Sequence, residues 1–219
     1  MNMDFVDTDL YRAVTDFAHD TPLWVQHSAE TGTEAGLLVF AALFVAAWWR
    51  ARHAGTRAFA IAVLAPVATA VAYVCSELLK SAVTEERPCR AVAGAAPSLA
   101  ACPPHGDWSF PSNHATIAGG AALALALARR LIVWLTVPLA LLMAFSRVFV
   151  GVHYPHDVAA GLLLGAVVAV LAVRLGTRPV TRLAGSMRAS SAPALRWLAG
   201  PGPAGVPSYG TPRRPARHR

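Results

Sequence analysis

The chain has 219 residues, one domain's worth, of which 55% are hydrophobic and only 14% charged. That balance excludes an ordinary soluble globule. The formal net charge of +7 does not point to nucleic acid either, because the basic residues fall between apolar blocks rather than in one patch.

In chain order, residues 4–27 come first and mix Phe5, Val6, Leu10, Val14, Phe17, Leu23 and Trp24 with acids. They read as an amphipathic stretch at a membrane surface, interrupted near Pro22, and residues 1–32 are expected to form an N-terminal interfacial segment. The stretch is acidic and lacks a basic leader, so it does not read as a cleavable signal peptide. Five nearly charge-free runs follow, at 33–49, 59–79, 115–128, 131–145 and 158–173. A span needs ~20 apolar residues to cross ~30 Å of hydrocarbon, and flanking residues such as His114, Arg129 and 148–152 extend the shorter runs. The expectation is an all-α, polytopic bundle of about five transmembrane helices over residues 33–175. Residues 176–219 mix Arg with Pro, Gly, Ser and Ala without a sustained apolar period, and are expected to be a basic, disordered cytoplasmic tail.

Charge placement gives a topology. Residues 1–34 hold seven acids against one Arg12. Arg50, Arg52 and Arg57 lie between the first two runs, Arg129 and Arg130 between the third and fourth, and nine arginines with no acid follow the last. With five spans these three segments share a side, which the positive-inside rule makes the cytoplasm. The N-terminal segment, loop 81–110 and turn 151–157 then face outward. Cys75 lies in an apolar run and reads as a small buried residue. Cys89 and Cys102 share the outward loop, where a disulfide and two free thiols are both open.

The polar residues at the outward helix ends are the functional candidates, since ionisable groups at a membrane edge cost free energy. Lys80, the only lysine against eighteen arginines, ends the second run. Taken alone it is a snorkelling anchor. Arg87 and Pro88 follow, and a helix continued to residue 87 would place both cations on one face. Pro111-Ser112-Asn113-His114 opens the third run, with Ser112 a natural N-cap at an end suited to anions. Ser146-Arg147 comes late in the fourth run, then His153-Tyr154-Pro155-His156-Asp157 in the turn. A carboxylate on one imidazole nitrogen leaves the other free to attack. Three cations, two histidines and one orienting acid suit a dianionic phosphate ester. No metal-ligand pattern such as H-E-x-x-H competes.

Lys80-x6-Arg87-Pro88, Pro111-Ser112-Asn113-His114 and Ser146-Arg147-x5-His153-x3-Asp157 together resemble the three-part signature of the type 2 phosphatidic acid phosphatase family. The resemblance implies the helical core shared with bacterial acid phosphatases and vanadium haloperoxidases. It implies His153 as nucleophile, forming a phosphohistidine, with Asp157 holding its imidazole and His114 as the acid and later the base. Lys80, Arg87, Arg147, Ser112 and the backbone N–H of Asn113 would hold the phosphoryl oxygens, with no metal or other cofactor. The common family motif has Gly where Asn113 stands, so Asn113 is expected either to use only its backbone or to narrow the pocket and tune the substrate. The resemblance further implies an integral membrane lipid phosphatase with its site on the outer face of the plasma membrane. In a bacterium, undecaprenyl pyrophosphate is the leading substrate. Phosphatidylglycerophosphate, phosphatidate or a polyprenyl-phosphosugar are alternatives, and a non-catalytic carrier that binds the lipid phosphate is the rival of another class. His156 receives no role beyond a contact at the rim.

Overall fold

The computed structural model describes residues 3–203, with the side chains of 3–6 left aside. Among the described residues there is no strand. Helix α1 (Met3–Asp20) is followed by α2 (Leu23–Ala51), α3 (Thr56–Ala82), the short α4 (Pro88–Ala91) and α5 (Asn113–Ala128). A 3₁₀ turn (Arg130–Ile132) leads into α6 (Val133–Phe149), then α7 (Pro155–Ala189) and α8 (Pro193–Ala199). Helices α2, α3, α7 and the segment Arg130–Phe149 are long and apolar enough to cross a membrane; α5 is apolar but has only 16 residues.

At 1.5 Å per residue α5 spans ~24 Å, short of a bilayer core. It is nevertheless the centre of the bundle, packed on α3, α6 and α7 and touching α2. Its composition explains this position. Ala115, Ala118, Gly119, Gly120, Ala121, Ala122 and Ala124 are all buried, and small residues let helix backbones approach where hydrophobic driving force is absent. A Cβ on Gly165 of α7 would fall within the van der Waals shell of the Thr116 carbonyl, and one on Gly119 would strike the backbone of Leu162. Large apolar side chains turn outward instead, as with Leu38, Val71, Leu142 and Leu163.

Three segments differ from expectation. The first span begins at Leu23, ten residues earlier than the apolar run, because polar Ser28, Glu30 and Thr31 ride on a continuous helix. Helix α1 is amphipathic as expected, yet its buried face lies on protein: Tyr11, Thr15 and Ala18 are buried, and the Tyr11 hydroxyl donates to the Gly151 carbonyl at 2.9 Å. The segment expected as a disordered tail is helical through residue 199, with a break at 190–192. Helix α7 passes Gly176 without interruption, and Val173, Thr177, Val180, Ala184 and Met187 form a seam against the N-terminal half of α3 and its neighbours. Helix α8 folds back on the α2–α3 turn, where the Arg52 guanidinium lies over Trp49 and Trp197, 4.6 and 4.8 Å from their ring centres. The rest of that segment, 204–219, lies outside the described residues.

Loop 83–112 has little regular structure and is knitted by side chains. Cys89 and Cys102 are disulfide-bonded, Arg90 pairs with Glu86 at 2.5 Å, and the Leu99 N–H donates to the Val150 carbonyl at 3.0 Å. Arg12 of α1 donates to the Ala93 carbonyl at 2.9 Å. Helix α1, this loop and turn 150–154 thus form one cap over the ends of α3, α5, α6 and α7.

Candidate active site

Lys80 and Arg87 meet, but not on one helix face. Helix α3 stops at Ala82, and the chain turns so that Arg87 precedes the first residue of α4. Both side chains are buried, and the carboxylate of Asp107 brings them together. Its Oδ1 lies 3.2 Å from Lys80 Nζ and 2.9 Å from Arg87 Nη2. Arg87 also donates from Nε to the Asp107 carbonyl at 2.8 Å and from Nη1 to the Val152 carbonyl at 3.0 Å. Burial alone would raise the Asp107 carboxyl; the Arg87 hydrogen bond and the Lys80 charge outweigh it and hold the group below the usual carboxylate range.

The same Arg87 Nη1 lies 3.1 Å from Nε2 of His153, which is 2% exposed. A guanidinium can only donate, so Nε2 carries the lone pair and the proton belongs on Nδ1. Nδ1 faces Asp157 Oδ2 at 3.3 Å, and that oxygen also accepts from Ser109 Oγ at 2.5 Å and from the Tyr154 N–H at 2.8 Å. Asp157 sits in the first turn of α7, where a carboxylate suits the helix start. Burial pushes the His153 imidazole down to about 4, and the Arg87 and Arg147 charges add to this against the opposing pull of Asp157. At neutral pH the ring is an uncharged base.

At the start of α5 the structure departs from the expected cap. Ser112 holds the N-cap position with extended backbone angles, but its side chain makes no cap bond; its Oγ is buried without a partner. Asn113 turns its side chain to α3, accepting from Ser76 Oγ at 2.8 Å and donating to Glu77, so it does not narrow the space beside Ser112. His114 Nε2 pairs with Glu34 Oε1 of α2 at 3.0 Å. Arg147, on the last turn of α6, makes no hydrogen bond or ion pair among the described residues, and its Nε is buried. Its backbone carbonyl accepts from the Val152 N–H at 3.2 Å, which ties it to the His153 turn. Two buried donors left unpaired, Ser112 Oγ and Arg147 Nε, beside two paired cations are the pattern of a site built for an anionic ligand.

His156 is more than a rim contact. Its ring stacks between Phe110 and Tyr154, with Nδ1 2.6 Å from Asp7 and Nε2 3.1 Å from Glu85. Glu85, His156 and Asp157 could by position hold a metal ion. With carboxylates at both ring nitrogens, though, the arrangement suits an imidazolium rather than a metal ligand.

Sequence reasoning did not single out Asp107, Ser109, Glu34, Glu77, Asp7 or Tyr11. A signal existed for some of them. Glu34 and Glu77 are ionisable residues in apolar helices, the same feature that marks Lys80 and Arg147.

The model of the PAP2 superfamily matches residues 61–180, more than half of the chain. The chain belongs to the PAP2 superfamily. An undecaprenyl-diphosphatase of Sulfolobus acidocaldarius is 36% identical over 121 residues, covering 54% of this chain and 57% of that protein. A decaprenylphosphoryl-5-phosphoribose phosphatase of Mycobacterium tuberculosis is 46% identical over 70 residues, covering 31% and 37%. The chain thus matches 57% and 37% of the lengths of these two relatives. In fold it is similar to a transmembrane PAP2-type phosphatidylglycerolphosphate phosphatase from Bacillus subtilis, with a TM-score of 0.56 at 19% identity, covering 76% of this chain and 84% of that one. The PAP2 match contains all three motifs and leaves out α1 and α2. Asp7, Tyr11 and Glu34 therefore support the PAP2 core from outside it.

Proposed function

We propose that this protein is a metal-independent membrane lipid phosphatase working through a phosphohistidine. The observation that carries the reading is the placement of His153, with Nδ1 3.3 Å from Asp157 Oδ2 and Nε2 3.1 Å from Arg87 Nη1, which assigns the proton to Nδ1 and the lone pair to Nε2. Nε2 attacks phosphorus, the bond from phosphorus to the leaving oxygen breaks, and His114 gives that oxygen its proton. Water, deprotonated by His114, then attacks the phosphohistidine, releasing phosphate and restoring His153. Lys80, Arg87, Arg147, Ser112 Oγ and the Asn113 N–H hold the phosphoryl oxygens as charge builds. Glu34, 3.0 Å from Nε2, orients the His114 ring.

The substrate is a lipid phosphate, which reaches the site from the bilayer between apolar helices. Undecaprenyl pyrophosphate, cleaved to the monophosphate, is the first choice and is supported by the Sulfolobus relative. The Mycobacterium relative favours a polyprenyl-phosphosugar phosphate as the second. The site faces outward from the plasma membrane, a reading that rests on the arginine-rich segments at the opposite helix ends.

The test is phosphate release by purified protein in detergent with a chelator, from undecaprenyl pyrophosphate, a polyprenyl-phosphosugar phosphate, phosphatidylglycerophosphate and phosphatidate. Wild type and His153→Ala are compared. Release from the pyrophosphate that is lost in the variant supports the reaction and the substrate. A preference for a glycerophospholipid keeps the reaction and changes the substrate. No release from any of the four overturns the reading in favour of a carrier that binds without hydrolysis.

A further inference from the structure

All twelve acids of the sequence lie at positions 4–34, 77–107 and 157, which the fold gathers toward the His153 end of the bundle. The other end has no acid. There, between α3, the end of α5, the 3₁₀ turn and α7, opens a cavity of about 550 Å³ lined by Arg57, Arg130, Arg174 and Arg178. Its floor is apolar, with Ile61 and Val173 among the lining side chains. None of the four arginines has a carboxylate within ion-pair distance among the described residues, and no acid elsewhere in the sequence is placed to supply one.

Arg174 and Arg178 lie ~25–32 Å along α7 from Asp157, and Arg57 lies ~35 Å along α3 from Lys80. Those spacings match the ~30 Å hydrocarbon thickness, so the cavity opens at the membrane–water boundary opposite the phosphatase site. Four guanidiniums around one cavity repel one another, and each is built for bidentate contact with phosphate oxygens. Among the described residues no carboxylate pairs with them, so the cavity is open to an anion from outside. Basic pockets between transmembrane helices at a membrane surface are suited to anionic head groups, and the apolar floor accepts the start of an acyl chain. We propose that this cavity is a second anion site, which holds the phosphate-bearing head group of an anionic phospholipid of the leaflet opposite the catalytic one.

The same chemistry would accept free phosphate, so the experiment separates the two sources. Full-length protein in neutral detergent is unfolded thermally with phosphatidylglycerol, with phosphatidylcholine or with inorganic phosphate added. Four proteins are compared: wild type, Arg57→Gln/Arg130→Gln, Arg174→Gln/Arg178→Gln, and Arg182→Gln/Arg196→Gln as a charge-matched control outside the cavity. At a hundredfold excess over Kd, phosphatidylglycerol is expected to raise the wild-type and control midpoints by ~5–10 °C. Phosphatidylcholine is expected to have no such effect, and each cavity pair to lose most of the shift. Inorganic phosphate, held at the His153 end, is expected to shift all four proteins alike. If its shift also vanishes in both cavity pairs, the lipid assignment falls and the cavity takes a free anion. Equal phosphatidylglycerol shifts in wild type and cavity variants overturn the site itself, as does a phosphatidylcholine shift of the same size. The two pairs are independent, so one that misfolds leaves the other to decide.

Discussion

The two ends of α7 handle charge in opposite ways. At its start, Asp157 is enclosed by Ser109, Tyr154, His153 and His156, and the nearby Lys80 and Arg87 share Asp107. Five turns on, Arg174 and Arg178 meet no acid. Desolvated and paired charges hold fixed positions, so their effect depends on geometry at a scale of tenths of an ångström and responds little to salt. Exposed charges act through a hydrated field that salt screens over ~10 Å. The first arrangement suits catalysis, where donors must be placed before the charge develops. The second suits retention of whatever anion the membrane offers.

The largest effect that sharpens this contrast is expected from Asp157→Asn. The amide keeps the shape of the site but no longer specifies which nitrogen of His153 bears the proton. A loss of ~10³–10⁴ in kcat is expected, while vanadate, which mimics the trigonal-bipyramidal phosphoryl transition state, is expected to inhibit and to bind little differently. Arg178→Gln, at the other end of the same helix, is expected to leave detergent hydrolysis within about twofold. Steady-state kinetics of the two variants side by side decide it, and comparable losses in both would break the division between the ends.

The pH dependence of stability comes next. His153 is held near 4 by burial, against an ordinary value of ~6.5. Between those values the unfolded chain binds a proton that the folded chain excludes. The contribution is therefore complete above pH ~6.5 and is lost as pH falls toward 4, by ~3 kcal/mol. Thermal unfolding from pH 7 to 4 is expected to show a drop of several degrees that His153→Gln largely removes. Asp107, held low, contributes a separate loss beneath the usual carboxylate range. A wild-type profile parallel to that of the His153 variant would mean that the ring is hydrated rather than buried.

How much of this was legible in the sequence follows a physical line. The five apolar runs marked the helices and their order, because a bilayer imposes their length and apolar character directly. The three motifs located His153, Asp157, Lys80, Arg87, Arg147 and the start of α5, since their spacing is local. What was not legible depends on tertiary contact. Nothing in the spacing of Ser112 says that its hydroxyl forgoes the cap bond, or that Asn113 turns toward Glu77. Asp107 acquires its place only once loop 83–112 folds back over α3. The missed extension of α7 is a different case. Residues 173, 177, 180, 184 and 187 follow steps of four and three, a helical seam that Gly176, Pro179 and the interspersed arginines obscured.

The seam that joins the two ends can also be tested. Gly165→Ala places a methyl group against the Thr116 carbonyl and the Gly120 N–H, both in the backbone of α5. Backbone cannot swing aside as a side chain would, so α5 and α7 must separate. A cost of ~1–3 kcal/mol is expected, seen as a lower unfolding midpoint. Because Ser112 and Asp157 stand on the same two helices, activity should fall with it. Gly185→Ala, where nothing lies within 4 Å, is the control and should be neutral to slightly stabilising.

The smallest effect bears on what Asp107 does between Lys80 and Arg87. Its Oδ1 contacts both cations, each of which belongs to the proposed phosphoryl cradle. If that carboxylate competes with an incoming oxyanion, removing its charge should strengthen anion binding. Asp107→Asn keeps the volume and leaves the backbone carbonyl that receives Arg87 Nε untouched, so the cations stay near their positions. Inhibition by vanadate is then expected to tighten by ~3–10-fold, equivalent to roughly 1 kcal/mol, while kcat changes less. The opposite result, weaker inhibition, would assign Asp107 to positioning: Lys80 and Arg87 would need it to stay converged, and the site end would depend on its acids for shape as well as for neutrality.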